Sequence, residues 1–574
     1  MLKYSRKSHF KPSKPKSKPT TPEQNEDPNK RDIKSLVIYG LLGLVIITLI
    51  IALVLFFVLF NKSVNVCKTP ECITLAHQLL NFRDDSVDPC NDFYKYSCGK
   101  YNEHVSVEGD GMLKKALITR GLIKEFLLKN ASTTSKSEMA MKQLYSKCEE
   151  YKQQGKRQEN LDQLRAEIQQ LAFWSNSNFD LTGSQSLQDI DRNVYGIGAF
   201  DEIIPGIHSL IEGKGTILAG FLISRYAWLS MALLPKETIP CHGYVVEILP
   251  WPSTRVFVRN HFDKEGLKDV EELVEDIRSG YIEMFENAGW LDDSTKKNVI
   301  RKAEKMKKMI GYGKHFESPG ALDRVFDANI LPDDTYHATL KKIEKLSIKL
   351  AMDYGFLGTH MHPMFSLQAN AFYVRFENTL SVLTPLMDDP FYHKSYPTYA
   401  KLAGTGYIIG HEIGHGFDKD GLFIDENGNP KKLFTPAVEK ESDIRGTCLI
   451  DQYTNYDHPS FGKNLDGDTT LSENIADNLG NKVLWKAFKK LDLSNEKKIV
   501  GFEDYSIEKL YFQIEALNWC APRSTTPLQL QRVAVHGTSS FRVNGVFSNM
   551  KEFSEAFNCP AGSPMNPAKK CELF

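Results

Sequence analysis

One stretch decides how this chain folds and what it does: Gly410-His411-Glu412-Ile413-Gly414-His415-Gly416-Phe417-Asp418. It contains the pattern His-Glu-x-x-His. On a helix, His411 and His415 share one face, because residues four apart lie one turn apart. Two imidazoles on one face can bind one zinc ion, and Glu412 beside them can act as a general base. The alternative is a buried helix that carries the pattern by chance.

A second stretch supplies a third candidate ligand. The segment Leu471-Ser472-Glu473-Asn474-Ile475-Ala476-Asp477-Asn478 places Glu473 and Asp477 four residues apart, again on one helical face. Glu473 can complete a His-His-Glu site, a ligand set that leaves one position open in catalytic zinc sites. Asp477 and Asp418 can accept the outer N–H groups of the histidines and fix their tautomers. A solvated acidic face is the alternative, although the apolar residues of the segment indicate a partly buried helix.

These stretches resemble the two signatures of the neprilysin and endothelin-converting-enzyme family of membrane zinc endopeptidases. A third block, Asn370-Ala371-Phe372-Tyr373, resembles the strand that aligns the substrate in that family. The resemblance runs from about Cys67 to the last residue. It implies a mainly α fold with a small β-sheet (α+β), in which a thermolysin-like zinc catalytic domain is capped by a second helical domain and preceded by one transmembrane helix.

The N-terminal region predicts a membrane anchor. Residues 1–34 are polar and rich in Lys, Ser and Pro, which predicts a disordered cytoplasmic tail. Residues 36–60 carry no charge and are long enough to cross a bilayer, so we predict a transmembrane signal anchor over 35–60. A cleaved signal peptide or a buried helix is the alternative, but the apolar run is long and lacks a small-residue cleavage site. The basic tail predicts a type II protein of the cell membrane with an extracellular C-terminal ectodomain.

The charge and the cysteines agree with an ectodomain. The net charge is −1, so the composition gives no reason to expect a nucleic-acid partner. All ten cysteines follow the apolar run, as expected in an oxidising compartment, but the sequence alone does not give their pairing. Asn130 begins an Asn-x-Ser glycosylation site. The resemblance implies the pairs Cys67–Cys72, Cys90–Cys559, Cys98–Cys520, Cys148–Cys241 and Cys448–Cys571. No spare cysteine is then left, and the sequence leaves open whether the chain forms a homodimer.

We divide the ectodomain into a mainly helical N-terminal part, 61–362, and a zinc metallopeptidase catalytic domain, 363–574. Apolar periodicity predicts helices over 114–128, 137–153, 267–288 and 296–309 and a strand over 365–375. The segment between Cys148 and Cys241 is shorter than in the family. This shortened cap either widens access to the cleft or signals lost activity.

The resemblance also implies the residues that bind substrate. Asn370 and Ala371 would pair with an extended peptide, and Arg542 would hold a substrate carbonyl. His536 would stabilise the oxyanion. An apolar pocket for the residue after the scissile bond would be formed by Leu386, Phe391, Ile408 and Trp519.

Two departures from the family pattern concern these residues. Ala534 stands where the family has Asp, and Gly537-Thr538 replaces a Ser-Pro pair, so that His536 is less firmly oriented. Gly109 stands where some members have an Arg that binds a free C-terminal carboxylate, which argues against an exopeptidase preference.

The sequence therefore predicts a membrane-anchored zinc metalloendopeptidase that hydrolyses extracellular oligopeptides and favours large apolar residues just after the scissile bond. One zinc ion would be bound by His411, His415 and Glu473, with Glu412 as the base and Asp477 supporting the site. The alternative is a catalytically impaired peptide-binding or scaffold protein on the same fold, which the shortened cap and Ala534 favour.

Overall fold

The computed structural model describes residues 28–60, 65–105, 109–129, 133–166 (without 157, 161 and 165), 234–313 (without 237), 317–357 (without 319, 321, 324 and 325), 367–456, 465–522 and 534–574. Residues 1–27 of the predicted tail, Asn130 and most of the shortened cap segment, 167–233, lie outside the described residues. The chain divides into two compact units, residues 1–64 and 65–574.

The first unit contains one long helix, α1, Pro28–Phe60. Its stretch Leu36–Val54 has a mean hydropathy of 3.0 and is long and apolar enough to cross a membrane. The helix begins before the apolar run, so residues 28–34 of the predicted tail are helical. An apolar helix near the N-terminus fits a signal anchor.

The described part of the second unit is mainly helical, and side-chain caps fix where several helices begin. Asp110 accepts a hydrogen bond from the N–H of Leu113 (2.9 Å), and Asp292 accepts one from Thr295 (2.7 Å). Such caps satisfy N–H groups that have no partner within the helix. The helices are α2 Pro70–Asn81, α3 Phe93–Cys98, α4 Tyr101–His104, α5 Gly111–Leu128, α6 Lys136–Gln153, α7 Cys241–Ile248, α8 Pro250–Asn260, α9 Gly266–Glu286, α10 Asp293–Glu304, α11 Tyr336–Leu357, α12 Thr398–Lys401, α13 Tyr407–Gly414, α14 Pro436–Thr454, α15 Leu471–Lys489, α16 Ile507–Leu517, α17 Ser539–Asn549 and α18 Lys551–Phe557.

Two small sheets lie in the described part of this unit. The strands are β1 Val66–Cys67, β2 Lys307–Gly311, β3 Ala371–Val374, β4 Thr379–Leu383 and β5 Lys498–Ile499. Strand β4 lies between β2, which runs parallel to it, and β3, which runs antiparallel with Ala371 opposite Val382. Strand β3 is thus an edge strand of this three-stranded sheet. Strands β1 and β5 pair in a second, two-stranded sheet.

The predicted helix over 296–309 is wrong at its C-terminal end. Helix α10 stops at Glu304, and Lys307 begins β2. The N–H of Lys307 donates to the carbonyl of Asn378 (2.8 Å), so the sheet supplies the partner that a further helical turn would have supplied. Long-range pairing has overridden a local helical pattern.

Five disulfides pair all ten cysteines as the resemblance implies: Cys67–Cys72, Cys90–Cys559, Cys98–Cys520, Cys148–Cys241 and Cys448–Cys571. Two of them bridge sequence separations of 469 and 422 residues. They tie the two ends of the second unit together. Each stabilises the fold by about 2–5 kcal/mol, mainly because it restricts the unfolded chain.

Candidate active site

Helices α13 and α15 approach each other unusually closely because small residues face each other at their crossing. A Cβ added to Gly414 would lie 2.9 Å from the Cα of Ala476, and one added to Gly480 would lie 2.9 Å from the backbone of Gly410. Any larger side chain would separate the helices. Their close approach brings the histidines of α13 within reach of Glu473 on α15.

Three candidate ligands converge at this crossing. The Nε2 atoms of His411 and His415 lie 3.0 Å apart. Each lies 3.4 Å from one oxygen of the Glu473 carboxylate. Within the described part of the chain, this is the one group of His, Cys, Asp and Glu side chains whose ligand atoms all lie close enough, within 4.8 Å, to hold a metal ion.

The outer nitrogens of both histidines are bonded to carboxylates. Nδ1 of His411 lies 2.7 Å from Oδ1 of Asp477, and Nδ1 of His415 lies 2.7 Å from Oδ2 of Asp418. Carboxylates accept only, so both imidazoles carry their proton on Nδ1. The two Nε2 atoms then face each other across 3.0 Å. When neither of them carries a proton, their lone pairs point at the same place. Two facing lone pairs repel, and a cation bound by both removes that repulsion.

The third candidate ligand, Glu473, is ionised, and one of its oxygens is not fully hydrogen-bonded. Burial raises the pKa of the Glu473 carboxyl, but hydrogen bonding and charge from His411, together with the charge of Arg542, lower it to about 2. Its buried Oε2 atom has no well-aligned hydrogen bond, although Nε2 of His411 and Nε2 of His536 approach it to 3.4 and 3.3 Å. Two neutral imidazoles and one carboxylate form the donor set of a catalytic zinc site, so these residues fit a zinc ion.

Glu412 lies between the candidate ligands and the edge strand. Its Oε2 accepts a hydrogen bond from the N–H of Tyr373 on β3 (2.9 Å). Burial raises the pKa of Glu412, and the charges of His411 and His415 offset part of the rise. A carboxylate whose pKa is raised toward neutrality is a better proton acceptor than an exposed one. Glu412 is thus placed as a base beside the ligands without being one of them.

These residues line one cleft of about 420 Å³. Of the predicted substrate-binding residues, Asn370, Ala371, Ile408, Trp519, His536 and Arg542 lie on its wall. Leu386 and Phe391 do not: both are buried, and Phe391 lines a separate cavity beside Ile514 and Leu517. Their place in the pocket stays a prediction.

Arg542 forms a buried ion pair with Asp477. Its Nε and Nη2 atoms donate to the two oxygens of Asp477 at 2.8 and 2.6 Å. Its guanidinium also lies 4.0 Å from the centre of the Trp519 ring. Burial raises the pKa of Asp477, but the charges of Arg542 and His411 outweigh it and hold the pKa well below its usual range. Asp477 therefore stays ionised and neutralises the arginine as well as orienting His411.

Three residues of the cleft wall outside the quoted motifs were not identified from the sequence: Met112, Arg375 and Tyr407. Tyr407 donates to Oδ1 of Asp477 (2.7 Å) and packs edge-on against Trp519. It stands one turn before His411, so the helical spacing could have placed it. Met112 comes from α5, far away in sequence, and no local signal marks it.

We expect Asp477→Ala to destabilise the whole protein as well as the candidate metal site. Arg542 would stay buried without its two hydrogen bonds to a carboxylate, with only Oε2 of Glu473 left at 3.7 Å, and losing one partner of a buried pair costs about 3–5 kcal/mol. The measurement is the free energy of unfolding in urea. The double variant Asp477→Ala/Arg542→Met should regain a large part of the loss, because it removes both charges. A single variant as stable as the wild type would contradict the buried pair.

Comparison with known proteins agrees with this geometry. Two models described as peptidase family M13 match residues 370–573 and 230–313, together half of the chain. Neprilysin-2 of Drosophila melanogaster is 32% identical over 329 residues, and endothelin-converting enzyme 1 of Rattus norvegicus is 30% identical over 325. Each match covers 56% of this chain and 42% of the relative. The chain thus spans less than half the length of these relatives.

Solved structures with the same fold include PEPO from Lactobacillus rhamnosis, with a TM-score of 0.63 and 18% identity over 83% of this chain and 98% of that one. Zinc metalloprotease ZMP1 of Mycobacterium tuberculosis, in complex with an inhibitor, has a TM-score of 0.61 and 15% identity; the match covers 89% of this chain and 100% of that one. At this identity the likeness shows the fold alone. Together with the two family models and the resemblance of the three motifs, it leads to one conclusion: the chain belongs to peptidase family M13, whose peptidases are zinc metalloproteases.

Proposed function

We propose that this protein is a zinc metalloendopeptidase that cleaves oligopeptides. The observation that carries the proposal is the convergence of His411, His415 and Glu473 beside Glu412 and the edge strand β3. A zinc ion bound there supplies a Lewis acid that polarises the scissile carbonyl and acidifies a water molecule. We propose one zinc ion per chain.

The chain's own residues supply binding and proton transfer. An extended peptide pairs with the outer edge of β3, where Asn370 and Ala371 are the predicted contacts. This pairing brings the scissile bond alongside Glu412. Glu412 takes a proton from the attacking water and returns it to the leaving amine. His536, whose Nε2 lies 3.3 Å from Oε2 of Glu473, stands at the rim to donate to the carbonyl oxygen, and Arg542 holds a neighbouring substrate carbonyl.

The cleft wall favours apolar side chains. Ile408, Trp519, Tyr407 and Met112 present mainly carbon atoms to it. A large apolar residue just after the scissile bond would bury its surface there. Gly109 offers no side chain to bind a free C-terminal carboxylate. These features support an endopeptidase rather than an enzyme that needs a free chain end.

The remaining assignments extend the proposal to the whole chain. Helix α1 would anchor the protein in a lipid bilayer through residues 36–60, with type II orientation in the cell membrane and an extracellular ectodomain. Residues 61–362 would form the helical cap and 363–574 a thermolysin-like catalytic domain. The five disulfides support an oxidising compartment. Glycosylation at Asn130 and formation of a homodimer belong to the same proposal.

A matched peptide set tests the activity and its preference together. Each peptide carries one Phe or Leu flanked by small polar residues and is made as a free acid and as an amide, and cleavage is mapped by mass spectrometry. We expect cleavage on the amino side of Phe or Leu, with acid and amide cut at similar rates. Replacing Leu by Val, which removes one methylene group, should lower kcat/KM by about 10–200-fold, and replacing Phe by Ala should lower it further. A strong preference for free acids would contradict the endopeptidase assignment.

One observation favours the alternative, a catalytically impaired peptide-binding protein. The His536 side chain is 60% exposed, and the family's Asp and Ser-Pro beside it are replaced by Ala534 and Gly537-Thr538. If the peptides bind without being cleaved by the zinc-loaded protein, this alternative replaces the peptidase.

A further inference from the structure

Lys302, on α10, is a lysine without exposed surface. Lysines are almost never fully buried unless they are paired, because removing an ammonium group from water is costly. Burial lowers the pKa of Lys302 to about 8, and the charge of Asp418 offsets part of that effect. None of the sequence motifs includes this residue, so its burial needs a structural reason.

The partners of Lys302 lie in the turn that follows the metal-binding motif. Its Nζ donates to the carbonyl oxygens of Gly421 (2.6 Å) and Ile424 (2.8 Å). The ammonium also lies 5.8 Å from the centre of the Tyr373 ring and 5.9 Å from that of Phe417. At such distances aromatic faces attract a cation. Lys302 therefore contacts the turn through two hydrogen bonds to its carbonyl oxygens, and its ammonium group also lies near two aromatic rings.

The same turn fixes the carboxylate that orients His415. Oδ1 of Asp418 accepts from the N–H groups of Gly421 (2.6 Å) and Asp420 (3.0 Å), while Oδ2 faces Nδ1 of His415. One residue thus links the two side chains, because the N–H of Gly421 donates to Asp418 and its carbonyl oxygen accepts from Lys302. A Cβ on Gly421 would lie 2.2 Å from the carbonyl oxygen of His415, so the turn packs directly on the end of α13.

We propose that Lys302 is a positioning residue for the metal site. It fixes the turn 418–424, the turn fixes the Asp418 carboxylate, and that carboxylate fixes the tautomer and the direction of the His415 ring. The inference rests on the proposed zinc site. An apolar side chain of similar length would leave the carbonyl of Ile424 without this donor and that of Gly421 with only the N–H of Ile424 (3.1 Å), and would loosen this chain of contacts.

The test is the zinc affinity of the full-length protein carrying Lys302→Met, measured by competition with a chelating dye. We expect binding weaker by about 10–100-fold, the effect typical of groups that orient a metal ligand. The matched control is Lys115→Met. Lys115 is also buried, but it pairs with Asp388 (2.6 Å) and contacts neither the ligands nor the turn. The control should bind zinc like the wild type, even if thermal unfolding shows that both metal-free variants are equally destabilised.

A double variant with Asp418 distinguishes a positioning role of Lys302 from a general loss of protein stability. Asp418→Asn should weaken zinc binding, and adding Lys302→Met to it should cost much less than Lys302→Met alone. Additive losses would overturn the inference. If Lys302→Met does not fold, Lys302→Gln replaces it, because the shorter, uncharged amide cannot reach both the Gly421 and Ile424 carbonyls. Unchanged zinc affinity in that variant would overturn the inference equally.

The wild-type protein separates this inference from the proposed function. Zinc bound equally tightly by the wild type and by folded Lys302→Met overturns the positioning role alone. A wild-type protein that takes up no zinc overturns the proposed metal site and this inference with it.

Discussion

Glu412→Gln should abolish nearly all peptide cleavage while leaving zinc bound. The substitution keeps the shape of the side chain, and its amide can still accept the N–H of Tyr373, but it cannot take up a proton. We expect kcat to fall by about 10²–10⁴-fold, the contribution usual for general acid–base catalysis. Zinc content should be unchanged, because Glu412 lies beside the candidate ligands and is not one of them.

The measurement pairs turnover of a quenched peptide with metal analysis of the same sample. Glu439→Gln is the matched control, since Glu439 is a carboxylate on α14 that pairs with Lys432 outside the cleft. It should leave both readouts unchanged. Near-normal turnover by zinc-loaded Glu412→Gln would show that another group moves the proton.

Glu473→Ala should remove zinc and activity together. It leaves two imidazoles as protein ligands, and a tetrahedral catalytic site needs three. The loss of zinc affinity should exceed the 10–100-fold typical of a group that only orients a ligand, such as Asp418 or Asp477. Equilibrium dialysis against buffered zinc measures this directly.

The comparison variant is Glu473→Gln, which keeps the size of the side chain and one oxygen but removes its charge. It should bind zinc more weakly than the wild type and more tightly than Glu473→Ala. If Glu473→Ala holds one zinc per chain at the same free zinc concentration as the wild type, the third ligand has been misassigned.

The sequence predicts the candidate ligand site well because the relevant spacings are local. Two side chains four residues apart lie on the same face whenever their segment is helical. Both the histidine segment and the carboxylate segment are helical. The spacing of residues in the sequence does not give the distance between the two helices. That distance depends on Gly410, Gly414 and Gly480, whose missing side chains allow the contact.

Residues whose role depends on distant packing were harder to predict. Met112 reaches the cleft from α5, and Lys302 reaches the turn after the motif from α10; neither has a local pattern that marks it. Leu386 and Phe391 are predicted by resemblance alone; both are buried and neither lines the cleft, so their place in the pocket stays a prediction. Lys307 was predicted as helical because a basic amphipathic pattern does not reveal that a strand partner follows 72 residues later, at Thr379.

The central claim is that zinc at His411, His415 and Glu473 makes this chain a peptidase. The most direct measurement is the cleavage rate of one quenched peptide while zinc is removed with a chelator and then returned in measured amounts. We predict that cleavage stops on removal and returns in proportion to added zinc up to one equivalent per chain. Cleavage that persists after complete zinc removal, or a chain that binds one zinc and cleaves nothing, would contradict the account.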